Sequence, residues 1–141
     1  MATSSNQSSL FASLTEKGDF IEEVRMIRAG LHADAIEQLS NELNVPVSQL
    51  LSSLKICRRI VNRRKADGET LSPEITEKIV RAKRIYLKAF EVMKEEDSAR
   101  DWLNREDFYL DGESPLSMLD TAAGANAVMN LLNAIEEGIP L

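Results

Sequence analysis

Residues 47–65 read VSQLLSSLKICRRIVNRRK, and the change of character half-way along decides how the chain folds. Val47, Leu50, Leu51 and Leu54 recur at helical spacing and give one apolar face, and Pro46 suits a first helical position. After Ile56 the polarity reverses. Cys57, Ile60 and Val61 fall on one side of a helical wheel, whereas Arg58, Arg59, Asn62, Arg63 and Lys65 fan out on the other. Arg64 sits amid the apolar side, where it is expected to snorkel or to pair with a carboxylate. Two short helices joined by a tight turn, the second with outward cations, form the layout that lays one helix in the major groove while its partner crosses the backbone. Arginine can fork onto guanine, Asn62 can pair with adenine, and Lys65 with the remaining guanidiniums would hold phosphates. The bland alternative is a solvated basic face that only raises solubility.

Working outward, the flanking segments also read as helices. Upstream, DFIEEVRMIRAGL (19–31) offers Asp19 as a cap, Glu22 in a capping-box position, and Phe20, Val24 and Ile27 as a stripe before Gly30. HADAIEQLSNELNVP (32–46) follows, with Ile36, Leu39 and Leu43 at helical spacing and Asn44 as a stop. Downstream, Asp67-Gly68 ends the basic helix. Ser72, Pro73 and Glu74 open the longest element, whose stripe is Ile75, Ile79, Ala82, Tyr86, Phe90 and Met93. Its far side, with Lys78, Arg81, Lys83, Arg84 and Lys88, reads as a solvated face or a second phosphate contact. A short helix holding Trp102 and Leu103, a loop FYLDGESP (108–115) and two further helices in 114–138 complete the chain. No strand alternation and no fixed-period repeat is present, so the expected fold is all-α.

The chain has 141 residues, enough for one domain of ordinary size or two very small ones sharing a helix, and can bury roughly two-thirds of its unfolded surface. Its formal net charge of −6 is unevenly spread: residues 1–54 carry 3 basic and 7 acidic groups, 55–94 carry 12 and 5, and 95–141 carry 2 and 11. Exposed charges more than about 8 Å apart are largely screened at physiological salt, so an anion near the middle segment feels that segment and not the total. An acidic protein can therefore still bind nucleic acid.

Catalytic material is scarce. His32 is the single histidine and Cys57 the single cysteine, so neither a zinc cage nor a nucleophile–base pair has its parts, and no disulfide can form within the chain. His32 reads as a cap and Cys57 as a small buried hydrophobe beside the guanidiniums. No glycine-rich phosphate loop is present, and Trp102, Tyr86 and Phe90 read as core before they read as a stacking platform. No enzyme activity, cofactor or metal is expected. The start MATSSNQSSLFASLTEKG lacks a basic leader and an apolar run, and no stretch reaches about 18 apolar residues, so a cytoplasmic location is expected. Residues 1–18, polar and poor in large apolar groups, read as a flexible arm.

SLKICRRIVNRRK (53–65), LSPEITEKIVRAKRI (71–85), ARDWLN (99–104), LDGESPLSMLDTAAGANAV (110–128) and LLNAIEEG (131–138) follow one another in a fairly specific order. From about Leu31 to its end the chain thereby resembles the Xre/MbcA/ParS-like antitoxins, partners in RES-Xre toxin–antitoxin pairs. The resemblance implies a helix-turn-helix DNA-binding part at 31–72 that represses its own operon, and with the helix before it the expected DNA-binding domain is 19–72. A long helix would join it to a small helical toxin-binding domain, together 73–141. It also implies binding in place of catalysis, a RES-type toxin from the adjacent gene that degrades NAD or uses it for ADP-ribosylation, an operator duplex, and a homodimer within a larger complex. The chain departs from the family pattern at Leu51, where a small residue is expected, at Lys55, where glycine is, and at Cys57, where a hydroxyl cap is. Lys55 lacks the freedom of glycine and Cys57 caps poorly, so the angle between the two helices is expected to change.

Charge and position mark the toxin face. An anion-binding NAD pocket attracts carboxylates and a free chain end, which points to Tyr109, Leu110, Asp111 and Gly112 in the loop, and to Glu136, Glu137, Gly138, Ile139, Pro140 and Leu141 in the tail. The competing reading is a stand-alone helix-turn-helix regulator whose acidic part dimerises or senses something else.

Overall fold

A computed structural model describes residues 20–138, and the regular structure among them is helical throughout. In chain order the helices are α1 Phe20–Ala29, α2 Asp34–Leu43, α3 Val47–Leu54, α4 Arg58–Ala66, α5 Pro73–Met93, α6 Glu96–Asn104 and α7 Ala122–Glu137. Single 3-10 turns at Phe108–Leu110 and Leu116–Met118 lie between the last two helices. The fold is all-α, with a helix-turn-helix-like region followed by a C-terminal helical region. The arm at 1–18, the Asp19 cap and the Phe20 side chain lie outside the described residues, as do Ile139, Pro140 and Leu141.

Local chemistry sets the boundaries. Asn44 stops α2 by turning left-handed (φ 55°), and its N–H returns to the Asn41 and Ser40 carbonyls. Pro46 takes the extended N-cap conformation, one residue ahead of α3. Ser72 caps α5, its Oγ accepting the Ile75 N–H at 3.3 Å, and Pro73 fills the first turn. The second expected helix of the C-terminal region forms, but the first does not. Thr121 adopts an extended N-cap conformation and its Oγ1 accepts the Gly124 N–H at 3.0 Å, so too few residues remain after Ser114 for more than one 3-10 turn.

α5 is the axis, packing against α1, α2, α6 and α7. Its inner stripe buries Ile79, Ala82, Ile85, Tyr86 and Ala89, but Phe90, expected in that stripe, is 39% exposed. In α1 the buried residue is Met26, while Val24 stays 40% exposed: the helix is rotated so that Glu23 can pair with Arg84 of α5. The cations on the far side of α5 are neither a solvated face nor a phosphate surface. Lys83 is buried, pairs with Glu42 of α2, and lies 5.8 Å from the Tyr86 ring centroid. Lys78 donates to the Lys55 carbonyl at 3.1 Å and Arg81 to the Leu119 carbonyl at 3.2 Å. Lys88 bonds Glu136 of α7 at 2.9 Å, so charge that reads as surface in a wheel staples α5 to five other segments.

The helix-turn-helix-like region is not insulated from the C-terminal one. α3 packs against the Leu116–Met118 turn, and one buried cluster includes Leu50 and Leu54 together with Leu116 and Leu119. A second seam joins the α1–α2 and α4–α5 connections. Leu71 donates to the Leu31 carbonyl at 2.8 Å, and the fully buried Thr76 accepts the Leu31 N–H at 3.1 Å. Gly30 sits in this seam at φ +82°, and a Cβ there would lie 2.3 Å from the Leu71 carbonyl oxygen. Gly30→Ala is therefore expected to cost about 2 kcal/mol, read as a lower midpoint in urea unfolding with an unchanged m value.

Candidate functional site

The reversal of polarity at Leu54 to Arg58 is built as a three-residue turn. Lys55 caps α3 in the left-handed conformation (φ 56°) and returns its N–H to Leu51 and Ser52. Glycine would adopt this backbone without strain, and lysine adopts it here with the turn kept. Ile56 is buried under the turn, and Leu51 is buried in the face of α3. The helix pair that resembles a DNA reader thus forms despite the departures at Leu51 and Lys55.

Cys57 differs from its sequence reading. It is exposed and stands at the N-cap of α4, not on a buried side, because the turn places it ahead of the helix. Its sulfur makes no cap hydrogen bond of ordinary geometry, yet the backbone N–H groups of Ile60 and Arg59 face it and hold the thiol below its usual range. Ile60 also remains 46% exposed, which leaves Val61 as the buried residue of α4. A hydroxyl reaches these N–H groups better than sulfur does. Cys57→Ser is expected to stabilise the fold by about 0.5–1 kcal/mol, seen as a thermal midpoint raised by a few degrees.

On the outer face of α4, Arg58, Arg59, Asn62 and Arg63 are all exposed. None of these three arginines has an ion pair among the described residues. The other two cations are engaged. Arg64 donates to the Thr70 carbonyl at 2.7 Å and faces Glu69 at 3.8 Å, as a residue on the apolar side should. Lys65 lies 3.8 Å from Asp34 and 3.6 Å from Glu37 of α2, so its charge is partly spent within the chain. His32 supports that neighbourhood as a cap, its Nδ1 accepting the Asp34 N–H at 3.2 Å.

The acidic loop closes on itself around the Phe108–Leu110 turn. Asp107 accepts the Tyr109 N–H at 2.8 Å through its side chain and the Gly112 N–H at 3.0 Å through its carbonyl, while its own N–H donates to Glu113 at 3.1 Å. Asp111 and Gly112 both turn left-handed to bring the chain back. Tyr109, Asp111 and Gly112 are exposed, but Leu110 points inward and is buried, so its part is to hold the loop. Phe108, unmarked in the sequence reading, is the most exposed large apolar residue described. The available signal was the FY pair itself, since adjacent residues on one turn cannot both face the core. In the tail, Glu136 is bonded to Lys88 at 2.9 Å, which raises the lysine pKa, whereas Glu137 and Gly138 are exposed.

Residues 88–138 match the family model described as the antitoxin Xre/MbcA/ParS C-terminal toxin-binding domain. Two curated relatives, each named Antitoxin Xre, align over most of the chain. One, from Yersinia enterocolitica, is 27% identical over 117 residues, covering 82% of this chain and 79% of its own. The other, from Photorhabdus laumondii, is 29% identical over 115 residues, covering 81% and 78%. The chain is thus similar to the Xre/MbcA/ParS-like antitoxins, through the toxin-binding-domain model at its C-terminal end and through the two relatives over most of its length.

The matched segment comprises the end of α5, α6, both 3-10 turns and α7, and it contains the acidic loop together with Glu136, Glu137 and Gly138. The basic face of α4 lies outside it. Among the described residues no group of three or more His, Cys, Asp or Glu could hold a metal ion, and no helix is long and apolar enough to cross a membrane.

Proposed function

We propose that this chain is an antitoxin that acts in the cytoplasm as a homodimer with two binding ends: residues 73–141 seat on and block a RES-type, NAD-consuming toxin from the adjacent gene, and residues 19–72 bind the operator. The observation that carries the first part is the coincidence of the toxin-binding-domain match with the segment where 11 of the 23 carboxylates fall, residues 95–141. An enzyme pocket that binds a dinucleotide anion offers positive charge, and an acidic partner is attracted to it over distance. Toxin contact falls to Tyr109, Asp111 and Gly112 around the buried Leu110 strut, and to Glu137, Gly138, Ile139, Pro140 and Leu141. Glu136 contributes through its Lys88 bond or exchanges it for a toxin cation.

At the other end, Arg58, Arg59 and Arg63 present unspent charge on an exposed helix, with Asn62 between them as an amide that can read adenine. Lys65 contributes less because Asp34 and Glu37 already hold it. With Arg58 and Lys65 left to meet phosphates, two per protomer and four per dimer, log affinity falls against log salt with a slope of about −4. A slope near zero would remove the duplex from the account.

Co-expression with a tagged product of the adjacent gene tests the whole reading. The antitoxin should be retained at high salt wash and should restore growth. A free-standing regulator would bind DNA but leave that product behind and growth arrested.

A further inference from the structure

Phe108 is 88% exposed and Tyr109 52%, and their rings meet edge to face with centroids 5.5 Å apart and planes at 87°. A chain that buries Leu110, Leu116 and Leu119 close by leaves these two rings in water. The backbone that carries them is nevertheless fixed. Leu110 plugs the base of the loop, the Asp107 carboxylate caps the turn, and the Glu113 N–H closes on the Leu110 carbonyl at 3.1 Å. Aromatic side chains, with two torsions each, on a fixed backbone lose little conformational freedom when covered, and such residues are enriched among those that dominate interface energetics.

The surroundings define what covers them. Glu106, Asp111 and Glu113 are exposed along the same closed loop, and no ion pair among the described residues engages any of them. Arg105 is the one cation between positions 101 and 121. An apolar tip ringed by uncompensated carboxylates repels a second acidic copy of itself and fits a partner whose cleft is apolar at its floor and basic at its rim.

We propose that Phe108 and Tyr109 are the apolar anchor of the toxin complex. The rings enter a slot on the toxin, and basic residues at the rim of that slot meet Glu106, Asp111 and Glu113. The inference rests on the toxin-binding reading above and adds which residues carry the affinity and what surface receives them. Anchor and ring separate kinetically: loss of the rings speeds dissociation, whereas loss of the carboxylates slows association and flattens its salt dependence.

The test uses the full-length chain and the purified product of the adjacent gene, with association and dissociation followed by surface-bound interferometry. Phe108→Ala with Tyr109→Ala is expected to weaken binding roughly 100-fold, mainly through a faster off-rate, with the unfolding midpoint unchanged because both rings are exposed. Phe108→Leu, which keeps apolar bulk, should recover a large part of that loss. Glu106→Gln with Asp111→Asn and Glu113→Gln is expected to slow association about 10-fold at low salt and to leave the off-rate within about twofold. If the unaltered chain binds the toxin and the double-alanine variant binds equally well, the anchor is wrong and the toxin-binding reading stands. If the unaltered chain does not bind, both fall. A double-alanine variant that changes only the self-association of the chain, seen by sedimentation, would assign the rings to a homotypic contact and overturn the proposal.

Discussion

Arg59→Ala combined with Arg63→Ala is expected to lower affinity for the operator duplex roughly 1,000-fold while leaving stability within about 0.5 kcal/mol and toxin inhibition intact. Both guanidiniums stand on the exposed face of α4 and neither is tied by an ion pair among the described residues, so nothing in the fold depends on them. Each bidentate contact to a guanine edge contributes about 1–3 kcal/mol, and the four of a dimer, at the low end of that range, multiply to about three orders of magnitude. Lys65→Ala provides the contrast. Its ammonium already sits between Asp34 and Glu37, so its loss should cost less than about threefold at the same salt. Fluorescence anisotropy on the promoter fragment reads both. Equal losses from Lys65 and from the arginine pair would mean that the ion pairs release on binding and that α4 docks by a different edge.

Gly124→Val tests the other end. A Cβ at Gly124 would fall 1.8 Å from the Met118 carbonyl oxygen and 2.9 Å from its carbonyl carbon, and both atoms are backbone that cannot swing aside. α7 would have to lift from the Leu116–Met118 turn, on whose other side α3 is packed. The cost is expected to be about 3 kcal/mol or more, with a thermal midpoint lower by roughly 10 °C. Because one buried cluster spans both regions, unfolding should remain a single transition that carries operator binding and toxin inhibition down together. Calorimetry that resolved an intact helix-turn-helix transition beside a lost C-terminal one would show two independently folding units.

The helices were legible where local chemistry decides them. Asn44 as a stop, Ser72 with Pro73 as a start, and the Arg64 pairing all follow from properties of one residue and its near neighbours. What the wheel could not give was the rotation of each helix once several compete for the same core. Lys83 reads as surface until α2 brings Glu42 against it, and Val24 reads as core until Glu23 turns α1 toward Arg84. Cys57 was misplaced because a wheel extended by one residue treats an N-cap as helix. The same limit applied to the sites. The outward fan of α4 is periodic and visible, but whether Lys65 is free depends on α2, and Phe108 stands out only once the loop is seen to close with Leu110 inside.

On the proposed function, the acidic C-terminal segment silences an NAD-consuming toxin. Cellular NAD after induction of the adjacent gene, measured with and without this chain co-expressed from a separate promoter, tests it most directly. NAD held near its uninduced level by the intact chain, and depleted again when residues 88–138 are removed, is the predicted result. NAD that falls equally fast whether or not the intact chain is present would contradict the account.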